Sequence, residues 1–141
     1  RIEQGKHYGW PFTHGSGVED PDVFADMPKG LAVTHQAFGL GGHVAPLSIV
    51  FLRHQADAKL NGSALVGEHG SWNRSVKSGY RIMRLMFDGA AISEQPFLTG
   101  CEMTGEVICR PVGILEAGDG SLFVSDDYAG AVYRISKSAA N

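Results

Sequence analysis

The sequence predicts an all-β chain assembled from four-stranded antiparallel meanders, and three observations carry that prediction. Short runs of alternating or continuous apolar residues recur between turn residues along most of the chain. Glycine accounts for 19 of 141 residues, about twice its ~7% average and without collagen-like period, so many tight turns are needed. No segment places apolar residues at i, i+3, i+4 and i+7 over the ~11 residues that a helix requires.

The elements follow in order. Residues 1–44 carry Gly5, Gly9, Gly15, Gly17, Gly30, Gly39, Gly41 and Gly42 with Pro11, Pro21 and Pro28. They read as one short strand and then a long irregular connection, Phe12–Gly42. Loops beyond ~12–15 residues in a compact domain are usually functional or disordered. The aromatics in this one, with His35 and His43 flanking it, favour a functional loop. Ala45–Leu52 is an almost wholly apolar run, and Ser63–Glu68 follows the turn Asn61-Gly62. Tyr80–Phe87 alternates partly and ends at Asp88-Gly89. Ile92–Leu98 contains Pro96, which suits an edge strand. Together these make one four-strand group over 45–100.

A second group over 110–136 has three clear strands: Pro111–Leu115, Ser121–Ser125 and Ala131–Ile135. Turns at Asp119-Gly120 and Tyr128–Gly130 separate them. Repeated four-stranded units are propeller blades. A β-sandwich shows the same alternation, so periodicity alone leaves both architectures open.

Bulk properties exclude some functions. Twelve basic and 15 acidic residues give a net charge of -3, too balanced for an electrostatic nucleic-acid binder. No apolar stretch approaches the ~20 residues of a membrane span, and no signal peptide is visible. The opening Arg1-Ile2-Glu3-Gln4-Gly5 reads as the middle of a larger protein. Cys101 and Cys109 lack metal or haem spacing; they are either a disulfide or two small core residues.

Most local site signals are weak. The histidines at 7, 14, 35, 43, 54 and 69 form no i, i+4 or i, i+2 pair, which argues against zinc. No Gly-x-Ser-x-Gly elbow occurs, and Gly39-Leu40-Gly41-Gly42 fits no nucleotide fingerprint. Asn61 and Asn73 open glycosylation sequons of a kind common by chance. Asp126-Asp127 reads as a turn-capping pair rather than an acid/base pair or calcium site.

Several segments in order carry more. Tyr8-Gly9-Trp10-Pro11, His43-Val44-Ala45-Pro46 and His69-Gly70-Ser71-Trp72-Asn73-Arg74 with Gly79-Tyr80 come first. Arg110-Pro111-Val112-Gly113 and Ser125-Asp126-Asp127 with Tyr133-Arg134-Ile135 follow. This set resembles the glucose/sorbosone dehydrogenase family, six-bladed propellers that use pyrroloquinoline quinone (PQQ), over nearly the whole chain. The resemblance implies about two four-stranded blades of such a propeller, as a single C-terminal segment with an incomplete ring. Residues 1–44 would end one blade, 45–100 form another, and 110–136 form most of a further one.

PQQ is a planar ortho-quinone with three carboxylates, so its site needs fixed cations and a flat apolar surface. Arginine suits this, since its fork pairs bidentately with carboxylate and stays protonated. The resemblance implies that Arg110 contacts the cofactor and that Arg74, His69, Trp72 and His43 line its site. Local readings stand beside these: Arg110 as an ion-pair partner, Trp72 as a core plug between blades, His43 as a strand cap, Asn73 as a turn residue.

The implied chemistry is sugar or aldehyde oxidation, with a histidine base and hydride passing to a calcium-polarised quinone. In the family the base, an Arg-Asn clamp and the calcium loop lie on earlier blades, so no catalytic or metal residue is expected in this chain. The expected partners are the missing N-terminal blades, or further copies of the chain closing a ring, and a sugar. The resemblance also implies a periplasmic or secreted protein, where a Cys101–Cys109 disulfide is more credible. The alternative is a non-catalytic propeller-derived binding or oligomerisation module; a calcium-dependent propeller lactonase is disfavoured by the lack of an Asn/Asp/Glu cluster.

Overall fold

Antiparallel sheets account for nearly all the regular structure, as the glycine-punctuated rhythm requires. The structure, a computed structural model, describes residues 2–136. The chain divides into two compact units, Arg1–Gly39 and Leu40–Asn141. Among the described residues no helix is long and apolar enough to cross a membrane.

The first unit departs from the expected single strand and loop. It holds two short paired strands, β1 (Thr13–His14) and β2 (Val18–Glu19), and a 3-10 turn at Phe24–Asp26. A parallel bridge joins His7 to Val33, and Thr34 N donates to His7 O at 2.8 Å. Asp20 accepts from the N–H groups of Asp22 and Val23, the local bonding that makes Asp a turn former. Glycine and proline density concealed this order, because the segment is held by turns and single bridges rather than by a periodic apolar face.

In the second unit, β3 (Pro46–Phe51), β4 (Ala64–Glu68), β5 (Arg81–Asp88) and β6 (Ala91–Leu98) form one antiparallel sheet in that order. β6 is an edge strand, as Pro96 requires. β4, a near-continuous apolar run in a central place, is buried along its whole length. A short hairpin follows, β7 (Glu102–Met103) with β8 (Glu106–Val107), which the sequence reading left unassigned. Cys101 and Cys109 are disulfide-bonded at its base, with Cα atoms 4.6 Å apart. Then β9 (Pro111–Glu116), β10 (Leu122–Asp126) and β11 (Ala131–Ile135) form a three-stranded antiparallel sheet with β10 central.

The two sheets pack through β9 against β3 and β4. Their shared core is Leu52, Leu65, Ile82, Leu122 and Val124, with Val50, Phe97, Ile114 and Ile135 around it. Full burial of each such side chain stabilises by roughly 1.5–3 kcal/mol, so this interface dominates the cohesion of the unit.

A polar staple reinforces it. The Glu116 carboxylate accepts from Arg53 N at 2.7 Å, His54 N at 3.1 Å and Gln55 Nε2 at 2.7 Å. Gln55 Nε2 also donates to Gly120 O at 2.9 Å. The segment leaving β3 is thereby tied to the end of β9 and the turn after it. Burial alone would raise the Glu116 pKa, but the bonds from Gln55, Arg53 and His54 outweigh it and hold the carboxyl below its usual range.

Candidate functional site

Arg110 occupies the corner where the two sheets meet, and several backbone features place it there. His43 and Ala45 both adopt left-handed backbone, with φ of 64° and 49°. Such conformations cost non-glycine residues about 1–3 kcal/mol and persist only when their surroundings enforce them. Here they bracket Val44 so that Val44 O accepts from Gly70 N at 2.9 Å and Ala45 O from His69 N at 3.0 Å. The His69 and Gly70 carbonyls are then left to Arg110, which donates from Nε at 3.3 Å and Nη2 at 3.1 Å.

The guanidinium carbon lies 5.5 Å from the centroid of the Tyr80 ring, a cation–π arrangement. Tyr80 is itself buried, left-handed at φ 57°, and its hydroxyl donates to Ser71 O. Gly70 is required beneath it: a Cβ there would lie 2.6 Å from the Tyr80 ring at a φ of 102°. These contacts account for the spacing of His69-Gly70 and Gly79-Tyr80 in the sequence.

The following aspartates complete the corner. Asp126, 4% exposed, accepts at Oδ1 from Arg110 N, Tyr128 N and Ala129 N, and at Oδ2 from the Tyr133 hydroxyl. Burial would raise its pKa, yet these four donors together lower it. The same bond raises the Tyr133 pKa. Asp126 is thus the turn cap expected of it. Asp127 is not: its carboxylate accepts from His69 Nε2 at 2.9 Å, joining the two sheets.

The predicted residues separate on inspection. His69 and Arg110 are brought into direct contact. Trp72 lies with Ser71, Lys77, Tyr80, Arg110 and Tyr128 around a depression of about 370 Å³. At 85% exposed it fills no core between the two sheets of this unit. Nor is Arg110 a structural ion-pair partner, since among the described residues its guanidinium bonds to carbonyls and to no carboxylate. His43 and Arg74 are exposed, and the His43 contribution visible here is its backbone. Asn73 falls in a bend, as a turn residue should.

Tyr80, which belongs to a quoted segment, and Tyr128, expected only in a turn, carry no sequence signal for a site role, nor do Lys77 and Glu68. Glu68 is wholly buried beside His69, with Oε2 accepting from Arg81 Nε at 2.7 Å and Oε1 unpartnered among the described residues. Burial raises its pKa against the pull of Arg81, and Glu94 adds to the rise. Among the described residues no group of three or more His, Cys, Asp or Glu could hold a metal ion.

Chemically, the corner offers a half-buried guanidinium with no carboxylate partner among the described residues, Tyr80 stacked behind it, and Lys77 and two exposed aromatic rings at the rim. Such a set suits an anionic, flat ligand.

An uncharacterized protein of Borreliella burgdorferi is 32% identical over 139 residues, 95% of this chain and 37% of that protein. A calcium structure of a Trichoderma reesei carbohydrate-active enzyme of family AA12 superposes with a TM-score of 0.69 at 23% identity. That match covers 96% of this chain and 39% of the other, and it establishes the shared fold. The PQQ domain of a pyranose dehydrogenase from Coprinopsis cinerea aligns with 65% of this chain and 26% of its own at 26% identity and a TM-score of 0.47. The chain therefore spans less than two fifths of the length of each. The TrAA12-like family model matches residues 25–138, most of the sequence, and the chain belongs to that family.

Proposed function

We propose that this chain supplies one wall of the quinone site in a PQQ-dependent sugar dehydrogenase, and that the site is completed by further blades of a six-bladed propeller. The observation that carries the reading is Arg110: a half-buried guanidinium, aimed by two carbonyls, stacked near Tyr80 and without a carboxylate partner among the described residues. A cation in that state is stabilised most by an incoming carboxylate, which it can meet with donors still unused.

The residues present fit part of PQQ. Arg110 would pair with a ring carboxylate, Trp72 would offer a flat apolar surface, buried Tyr80 would back the guanidinium, and His69, held by Asp127, would bound the site. Arg74 and His43 are assigned to its outer margin. When bound, PQQ would accept the hydride from a sugar carbon. The role of this chain is to bind and orient it. The family resemblance assigns the base and the calcium ligands to other blades. A periplasmic or secreted location follows from the same resemblance and suits the disulfide.

Titration of the full-length protein with PQQ tests this, followed by dye reduction with a panel of aldoses. Arg110→Ala is expected to weaken PQQ binding at least tenfold (~1.4 kcal/mol). Equal affinity in parent and variant rejects the assignment. A second reading, a non-catalytic assembly module, draws on the edge strand β3, where Leu47, Ile49 and Phe51 are each at least half exposed. It requires a stable oligomer by light scattering together with no measurable PQQ affinity.

A further inference from the structure

The 102–107 hairpin makes a wall of the Arg110 depression but has little of its own to hold it there. Its ladder consists of two residue pairs, Glu102 with Val107 and Met103 with Glu106. Thr104 and Gly105 turn the chain with φ of 55° and 88°, the two left-handed residues of a type I′ turn. A hairpin of this size is marginal by itself in water. Met103 and Ile108 are exposed at 61% and 52%, so neither anchors it in a core.

Its base is different. Cys101 is 3% exposed, its carbonyl accepts from Ile108 N at 2.8 Å, and its sulfur is bonded to Cys109. Cys109 immediately precedes Arg110, whose N–H is held by Asp126. Gly105 and Val107, at the other end, face the depression beside Trp72, Tyr80, Lys77, Arg110 and Tyr128.

We propose that the Cys101–Cys109 disulfide is the positioning element of this ligand site: it clamps the hairpin as a wall beside Arg110, and its reduction lowers the site's affinity. The proposal rests on the reading of Arg110 given above and adds its regulation. The redox step balances with a dithiol as reductant. Two electrons and two protons pass to the S–S bond, leaving two cysteine thiols, and the dithiol closes to a cyclic disulfide. The released hairpin then samples positions away from the depression. If it is in place about one tenth of the time, the apparent Kd rises about tenfold.

The test uses the full-length protein and PQQ as the probe, with the double variant Cys101→Ala/Cys109→Ala. Amide exchange at Val107 and Ile108 is expected to accelerate while Leu65 and Ile82 stay protected, and the PQQ Kd to rise about tenfold. Val107→Glu, with the disulfide intact, puts a carboxylate on the same wall and is expected to weaken binding comparably. Unchanged affinity in both variants, with Arg110→Ala still disabling binding, overturns the proposal and leaves the Arg110 assignment standing. If Arg110→Ala also binds normally, the assignment itself is wrong and the proposal falls with it.

Discussion

Replacing Glu116 with glutamine removes the inter-sheet staple without removing its volume. The carboxylate offers two acceptor oxygens, one to Arg53 N and the other to His54 N and Gln55 Nε2. Glutamine offers one, and its NH2 must face a donor on the remaining side. Orphaning a buried donor costs about 1–3 kcal/mol, and water relieves part of that at these exposed amides; taking ~1 kcal/mol, the melting temperature falls by about 2–4 °C for a domain near this size.

The deficit has a pH signature. The folded pKa of Glu116 is lowered, so its stabilisation is fully present above the unfolded value near 4.5 and disappears as pH falls through the lower folded value. Thermal unfolding followed by circular dichroism at pH 7 and pH 3 measures both. The gap between parent and Glu116→Gln is expected to be wide at pH 7 and narrow at pH 3. A variant melting within a degree of the parent at pH 7, or showing equal deficits at both, refutes the argument.

Other substitutions test other links. Leu65→Ala, at the centre of the shared core and 0% exposed, is expected to cost about 2–5 kcal/mol by chemical denaturation. Gly70→Ala drives a methyl into Tyr80 at a left-handed φ; a loss of at least ~2 kcal/mol is expected, and a neutral result contradicts the packing beneath Arg110. Glu68→Gln keeps an acceptor for Arg81 while removing a buried charge. Since the folded pKa of Glu68 is raised, the parent loses stability as pH rises from about 4.5 through that value. The variant is therefore expected to melt at or above the parent at pH 7, with the advantage fading in acid; lower melting at pH 7 speaks against it.

Much of the strand layout was legible because alternation and turn residues are local properties. Ala131–Ile135 was read with its full bounds, and Ala45–Leu52, Tyr80–Phe87 and Ile92–Leu98 to within one residue at each end. Asp126 was legible as a cap for the same reason. The first 44 residues were not, since single bridges and paired dipeptides leave no period to read. The hairpin at 102–107 escaped because two-residue strands carry no alternation. Residues such as Trp72 were ambiguous, because exposure depends on which faces come together.

For the site, the sequence by itself determined the ingredients: the His43-Val44-Ala45-Pro46 segment, the His69-Gly70 pair, an arginine opening a strand and a pair of aspartates. It also determined the family resemblance those segments carry. Only the tertiary structure decided that the carbonyls of His69 and Gly70 receive Arg110, that Asp127 reaches His69 rather than its own turn, and that a disulfide-closed hairpin stands beside them. These residues lie about 40 to 60 positions apart. Their meeting depends on the packing of one sheet against another, an outcome of long-range apolar burial that no local pattern encodes.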